Sequence, residues 1–149
     1  MSKAAIILLV EDNRMDVELT LDAFREAKLS NRIHVASTGQ QALDYLFGRH
    51  AYSDRKQSPL PNLILLDLKL PGIDGFEVLR QIKAAPIIKR IPVIILTSSK
   101  EEGDRALSYD NGANSYLVKP VSFKGFLDVV HQIEGYWLSL NIAPPEALV

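Results

Sequence analysis

The stretch Leu63-Ile64-Leu65-Leu66-Asp67-Leu68-Lys69-Leu70-Pro71-Gly72-Ile73-Asp74-Gly75 decides the fold. Leu63 to Leu66 is an unbroken apolar run with no polar alternation, which fits a strand covered on both faces in a parallel sheet. An acid follows directly, and a carboxylate at the end of a buried strand is costly unless it is paired or bound. Pro71 and Gly72 fit a tight turn out of the strand, and the small Gly75 fits the crowding there. A helix then begins with Phe76, Leu79 and Ile82 inward, closed by Pro86.

Outward from this unit the same rhythm repeats. Apolar runs at Ala5 to Val10, Arg32 to Ala36, Pro92 to Leu96 and Ser115 to Val118 read as four further strands. A first helix capped by Asp12 or Asn13 puts Val17, Leu21 and Phe24 on one stripe and ends near Lys28. A second carries Ala42, Leu43 and Leu46, and a polar fourth from Lys100 to Tyr109 stops at Asn111-Gly112. The fifth starts at Ser122, has apolar positions 123, 126, 127, 130, 133 and 137, and ends near Leu140, before a tail of 141–149. Residues Gly48 to Asn62, with two prolines and mixed charges, read as an exposed loop. Strand and helix alternating five times predict one doubly wound α/β domain over 1–149, with a five-stranded parallel sheet and five helices.

Composition narrows the function. Of 149 residues 47% are hydrophobic, and 17 basic against 18 acidic side chains leave a net charge of −1. That balance argues against nucleic acid or an anionic membrane as a general partner. The longest apolar run is too short to span a bilayer and Met-Ser-Lys does not open a signal peptide, so a cytoplasmic address is expected. With no cysteine, disulfides, thiolate zinc sites and cysteine nucleophiles are excluded. Neither Gly-x-Gly-x-x-Gly nor a P-loop motif occurs. Lys69 sits where an aspartyl phosphatase would need its second acid. His34, His50 and His131 lack ligand spacing and read as surface or packing residues.

In an open parallel sheet ligands bind beyond the carboxyl ends of the strands. Those ends carry Glu11 and Asp12, Asp67, Thr97 and Ser98, and Lys119-Pro120, while strand two ends in the uncharged Ser37-Thr38-Gly39. Three carboxylates at one edge repel one another, and a hard divalent cation resolves that conflict. Mg²⁺, which takes one or two carboxylates, waters and a phosphate oxygen, suits the set.

Four motifs together carry a resemblance: Leu8-Leu9-Val10-Glu11-Asp12, Leu65 to Gly72 with Asp74-Gly75, Ile94-Ile95-Leu96-Thr97-Ser98, and Gly112-Ala113 to Tyr116-Leu117-Val118-Lys119-Pro120. In this order and spacing the chain resembles the receiver domain of two-component response regulators, from about Ile6 to Trp137. The resemblance implies a flavodoxin-like receiver fold with strand order 2-1-3-4-5. It implies that Asp67 is the phosphoacceptor for a sensor histidine kinase. Glu11, Asp12, Asp67 and the main-chain carbonyl of Lys69 would hold Mg²⁺. Lys119 would contact the phosphoryl oxygens, Thr97 would be the switch hydroxyl, and Tyr116 the aromatic that swings inward with it. The Lys119-Pro120 bond is usually cis in that family, whereas most such bonds are trans.

Among single-domain receivers the chain looks most like the small regulators paired with cyanobacterial phytochrome-type kinases, through its Gly48 to Asn62 loop and the ending Glu134-Gly135-Tyr136-Trp137-Leu138. On that reading the protein is a phosphoacceptor regulator rather than an enzyme, with its own phosphotransfer and dephosphorylation as the only reactions it would catalyse. Output is by protein contact, without direct binding to nucleic acid or membrane. Tyr136, Trp137, Leu138, Leu140 and Ile142 exceed what the sheet can cover. A homodimer through helix four, strand five, helix five and the tail is therefore expected. The competing reading is a constitutive receiver-like interaction module without phosphoryl turnover, and the intact acid set with Thr97 and Lys119 weighs against it.

Overall fold

The computed structural model describes residues 5–145. In chain order it contains β1 (Ile6–Val10), α1 (Arg14–Glu26), β2 (Arg32–Ala36), α2 (Gly39–Phe47), β3 (Leu63–Leu66), α3 (Gly75–Ala84), β4 (Val93–Thr97), α4 (Glu102–Asp110), β5 (Ser115–Val118) and α5 (Phe123–Gly135). The strands are all parallel, in the order β2-β1-β3-β4-β5. This is the doubly wound, flavodoxin-like arrangement with five helices that the sequence predicts.

The uniform apolar runs are explained by the two faces of the sheet. Side chains alternate along a strand, so Leu8, Val10, Ile64, Leu66, Val93 and Ile95 share one face and pack on α2 and α3. Ile7, Leu9, Leu63, Leu65 and Ile94 share the other and pack on α1 and α5, through Ala23, Phe24, Phe126, Val130 and Ile133. Truncating one of these fully buried leucines to alanine costs about 2–5 kcal/mol. On the stripe read for α1, Phe24 is buried, while Val17 and Leu21 are only half-buried.

Local signals start each helix where the chain leaves the sheet. Asn13, Thr38, Asp74 and Ser122 each accept a hydrogen bond from the backbone N–H three residues on. The choice of Asn13 over Asp12 leaves the Asp12 carboxylate without a capping role. Gly112 (φ +97°) supplies the left-handed turn after α4.

Three expectations are corrected. The segment 48–62 is not a simple exposed loop: it contains a 3₁₀ turn at His50–Tyr52 and is pinned from below. The Arg55 guanidinium donates to the carbonyls of Tyr45 (2.8 Å), Leu46 (2.6 Å) and Ser58 (3.2 Å), closing the carboxyl end of α2. The Tyr45 hydroxyl donates to the Pro59 carbonyl at 2.7 Å, and His34 stacks on the Tyr45 ring with centroids 4.3 Å apart. Second, Phe123 is not on the buried stripe of α5; as its first residue it is 39% exposed. Third, α5 runs into a π-type turn, Tyr136–Leu140, that folds Trp137 and Leu138 back onto the α1/α5 core while Tyr136, Leu140 and Ile142 stay exposed. No peptide bond among the described residues is cis, so of the two isomers left open Lys119–Pro120 is trans. Residues 146–149 of the tail lie outside the described residues.

Candidate functional site

Pairing continues one residue past the strand ends and sets the site. The Glu11 N–H donates to the Ala36 carbonyl (3.0 Å) and the Asp67 N–H to the Val10 carbonyl (3.1 Å), which aligns Asp67 beside Glu11. The Lys119 N–H donates to the Thr97 carbonyl at 2.7 Å, bringing the end of β5 to the same rim. Gly75 allows α3 to start against this edge: a Cβ there would lie 2.3 Å from the Asp67 carbonyl oxygen and 2.5 Å from the Leu68 Cα.

Glu11, Asp12 and Asp67 each present a carboxylate oxygen within 4.8 Å of the others, and Glu11 and Asp67 are buried while Asp12 is exposed. The Lys119 ammonium lies among them, with Nζ 2.5 Å from Glu11 Oε1, 3.0 Å from Asp67 Oδ2 and 2.9 Å from Asp16 Oδ2. The repulsion inferred from sequence is thus met first by a lysine of the chain itself. Burial pushes the Glu11 carboxyl up to about 7, against the lowering contacts of Lys119 and the Asn13 N–H, with Asp67 a smaller raising influence. Burial works against the Lys119 ammonium, but hydrogen bonds to Glu11, Asp16 and Asp67 outweigh it and hold it above the usual lysine range.

Thr97 is fully buried at the end of β4, where its hydroxyl accepts from the Ser99 N–H at 3.3 Å. Tyr116 is half-buried against the core, and its hydroxyl donates to the Ser99 carbonyl at 3.0 Å. Thr97 and Tyr116 therefore meet at the same β4–α4 residue, a link the sequence does not show. The Lys69 N–H reaches Asp67 Oδ1 at a long 3.4 Å, and its side chain is exposed. Asp16 is the residue that sequence reasoning missed. An acid in the first turn of a helix reads as ordinary dipole compensation, and its partner lies 103 positions away.

The donor set is all oxygen, two of its carboxylates are buried, and the three converge. This fits a hard divalent cation held by Glu11, Asp12 and Asp67, with Lys119 giving way. A parallel flavodoxin-like sheet with three converging carboxylates and a lysine at its carboxyl edge defines an α/β protein with an acidic pocket at the strand ends. The chain belongs to the response regulator receiver domain family, whose profile matches residues 7–131.

The chain is 44% identical over 142 residues to the probable methanogenesis regulatory protein FilR2 of Methanothrix harundinacea, covering 95% of this chain and 89% of that one. It is 40% identical over 139 residues to the response regulator Rcp1 of Synechocystis, covering 93% and 92%. Among solved structures it superposes on the phosphorylated cyanobacterial phytochrome response regulator RcpA with a TM-score of 0.89 at 37% identity, covering 96% of this chain and all of that one. The Mn²⁺-bound form of Rcp1 superposes at 0.84 with 39% identity, covering 95% and 99%. No helix among the described residues is long and apolar enough to cross a membrane.

Proposed function

We propose that this receiver accepts a phosphoryl group on Asp67 from the phosphohistidine of a sensor histidine kinase and passes the signal on by protein contact. The observation that carries the reading is the bonded cluster of Glu11, Asp67 and Lys119 beside Asp12. An Asp67 carboxylate oxygen attacks phosphorus, the histidine N–P bond breaks, and the leaving imidazole nitrogen takes up a proton from solvent. A divalent cation, Mg²⁺ on this reading, supplies neutralisation of the phosphoryl oxygens. Glu11, Asp12, Asp67 and the Lys69 carbonyl are the residues that would hold it. Lys119 turns its ammonium from the Asp67 carboxylate to the new phosphoryl oxygens, as a point charge suited to them. Thr97 supplies the hydroxyl that senses the phosphoryl group, and Tyr116 reports its movement through Ser99.

The chain is in this reading a phosphoacceptor that promotes its own phosphorylation and dephosphorylation. Because its donor is an intracellular kinase, its address is cytoplasmic. Its likeness to the cyanobacterial phytochrome response regulator RcpA favours a phytochrome-type kinase as donor. The test is transfer of labelled phosphate from an autophosphorylated phytochrome kinase. Rapid movement of label to this chain is expected, and label that stays on the kinase while a different kinase donates overturns the pairing. A constitutive interaction module has no use for two buried acids tied to one lysine, and it is not favoured.

The output surface we propose is a homodimer face formed by α4, β5, α5 and the tail, with no nucleic acid or membrane contact. Leu107, Tyr109, Val118, Phe123, Tyr136 and Leu140 are exposed apolar side chains on these elements. Trp137 and Leu138 are excluded from it because they cover the chain's own core. Sedimentation of the wild type against Tyr136→Ser and Leu140→Asp, with and without phosphorylation, tests the face; a wild type that is monomeric in both states rejects it.

A further inference from the structure

We propose that Asp16 is a positioning residue for Lys119, the acceptor that draws the ammonium away from Glu11 and Asp67 when a divalent cation enters. The inference rests on the cation reading of the pocket. An ammonium has three N–H donors, and Lys119 Nζ has three acceptors: Glu11 at 2.5 Å, Asp16 at 2.9 Å and Asp67 at 3.0 Å. Glu11 and Asp67 belong to the convergent carboxylate set with Asp12, and Asp16 does not. A cation entering that set therefore takes two of the lysine's three partners and adds a like charge beside it. Asp16 is the partner that remains.

The placement of Asp16 suits this role. Its N–H donates to the Asn13 side-chain oxygen at 3.0 Å, and its carbonyl accepts from the Thr20 hydroxyl at 2.8 Å. Both anchors fix the first turn of α1, so the carboxylate faces Lys119 from a rigid element. With Asp16 present, Lys119 withdraws by a small rotation about its own side chain and stays within reach of a phosphoryl group on Asp67. Without it, every acceptor of the lysine is one that the cation needs, and the lysine competes with the cation for them.

Calorimetric titration with Mg²⁺ of the wild type, Asp16→Asn, Lys119→Met and the double variant tests the inference. Losing one charged hydrogen bond at the lysine weakens the affinity of Asp16→Asn roughly three- to tenfold. In the Lys119→Met background the same change has no further effect, since there is no ammonium to withdraw. Equal weakening in both backgrounds identifies a simple loss of nearby negative charge and overturns the proposal, as does no weakening in either. A wild type that fails to bind Mg²⁺ overturns the cation reading itself, and the inference with it. Lys119→Gln repeats the cycle where Lys119→Met does not fold, as judged by its melting curve, and Asp16→Glu, which restores the charge, returns part of the affinity.

Discussion

Removing the Glu11 charge should remove a pH-dependent weakness from the metal-free protein. The folded Glu11 carboxyl is raised from 4.5 to about 7, burial being the largest cause. Between those values the folded protein holds a proton that the unfolded chain has released, so the native state binds more protons and stability falls as the pH rises. Above the folded value the loss is complete, and below the unfolded value it is absent. The rise corresponds to about 3 kcal/mol lost between roughly pH 4.5 and pH 7, at 1.36 kcal/mol per pKa unit. Because Glu11 is only 4% exposed, solvent does little to screen this. His34 slopes the opposite way, since burial lowers it and its proton is lost on folding. The difference between two proteins therefore isolates Glu11. Urea unfolding in EDTA from pH 5 to pH 8, for wild type and Glu11→Gln, should show the wild type losing stability relative to the variant across the window. Saturating Mg²⁺ should abolish the difference in slope, because the cation binds the ionised carboxylate. Parallel pH curves for the two proteins in EDTA would refute the reasoning.

Three further outcomes follow from the packing. Gly75→Ala places a Cβ 2.3 Å from the Asp67 backbone oxygen, so it should lower stability by about 1–3 kcal/mol and displace α3, seen as a lower melting temperature and altered amide shifts at Asp67 and Leu68. Arg55→Ala takes the guanidinium away from two carbonyls at the end of α2 and from the Ser58 carbonyl, and should cost about 1.5–3 kcal/mol, with faster proteolytic nicking within 48–62. Ile87 is exposed and sits at φ +71°, ψ −57° in a γ-turn closed by the Ile88 N–H on the Pro86 carbonyl at 2.8 Å. Relief of that strain, less the extra freedom of an unfolded glycine, should let Ile87→Gly stabilise the protein by about 1 kcal/mol in chemical denaturation.

The sheet was legible because the apolar runs at β1, β3 and β4 have no polar alternation, and because the acids, threonine and lysine read from the sequence stand at or just after a strand's end. Position along the chain there translates into position at one edge. What was not legible depended on contacts between distant segments. Asp16 meets Lys119 across 103 positions, and nothing in Arg14 to Asp16 distinguishes it from a solvated helix acid. Arg55 reads as one charge in a polar loop until its three carbonyl partners are visible. The tail's apolar residues were countable, but their division between Trp137 and Leu138, which pack inward, and Leu140, which does not, is decided by the π-type turn after Gly135. The acids' mutual repulsion was foreseen; burial as the larger influence on Glu11 was not, because burial is a property of the folded edge.

The central claim is that Asp67 receives the phosphoryl group. Its most direct test is intact mass and peptide mapping after incubation with a small-molecule phosphodonor and Mg²⁺, for wild type and Asp67→Asn. The account predicts one added phosphoryl group on the wild type, labile to base and mapped to Asp67, absent without the cation and absent from the variant. Undiminished labelling of Asp67→Asn, or label mapped to Asp12 or Glu11 in the wild type, would contradict it.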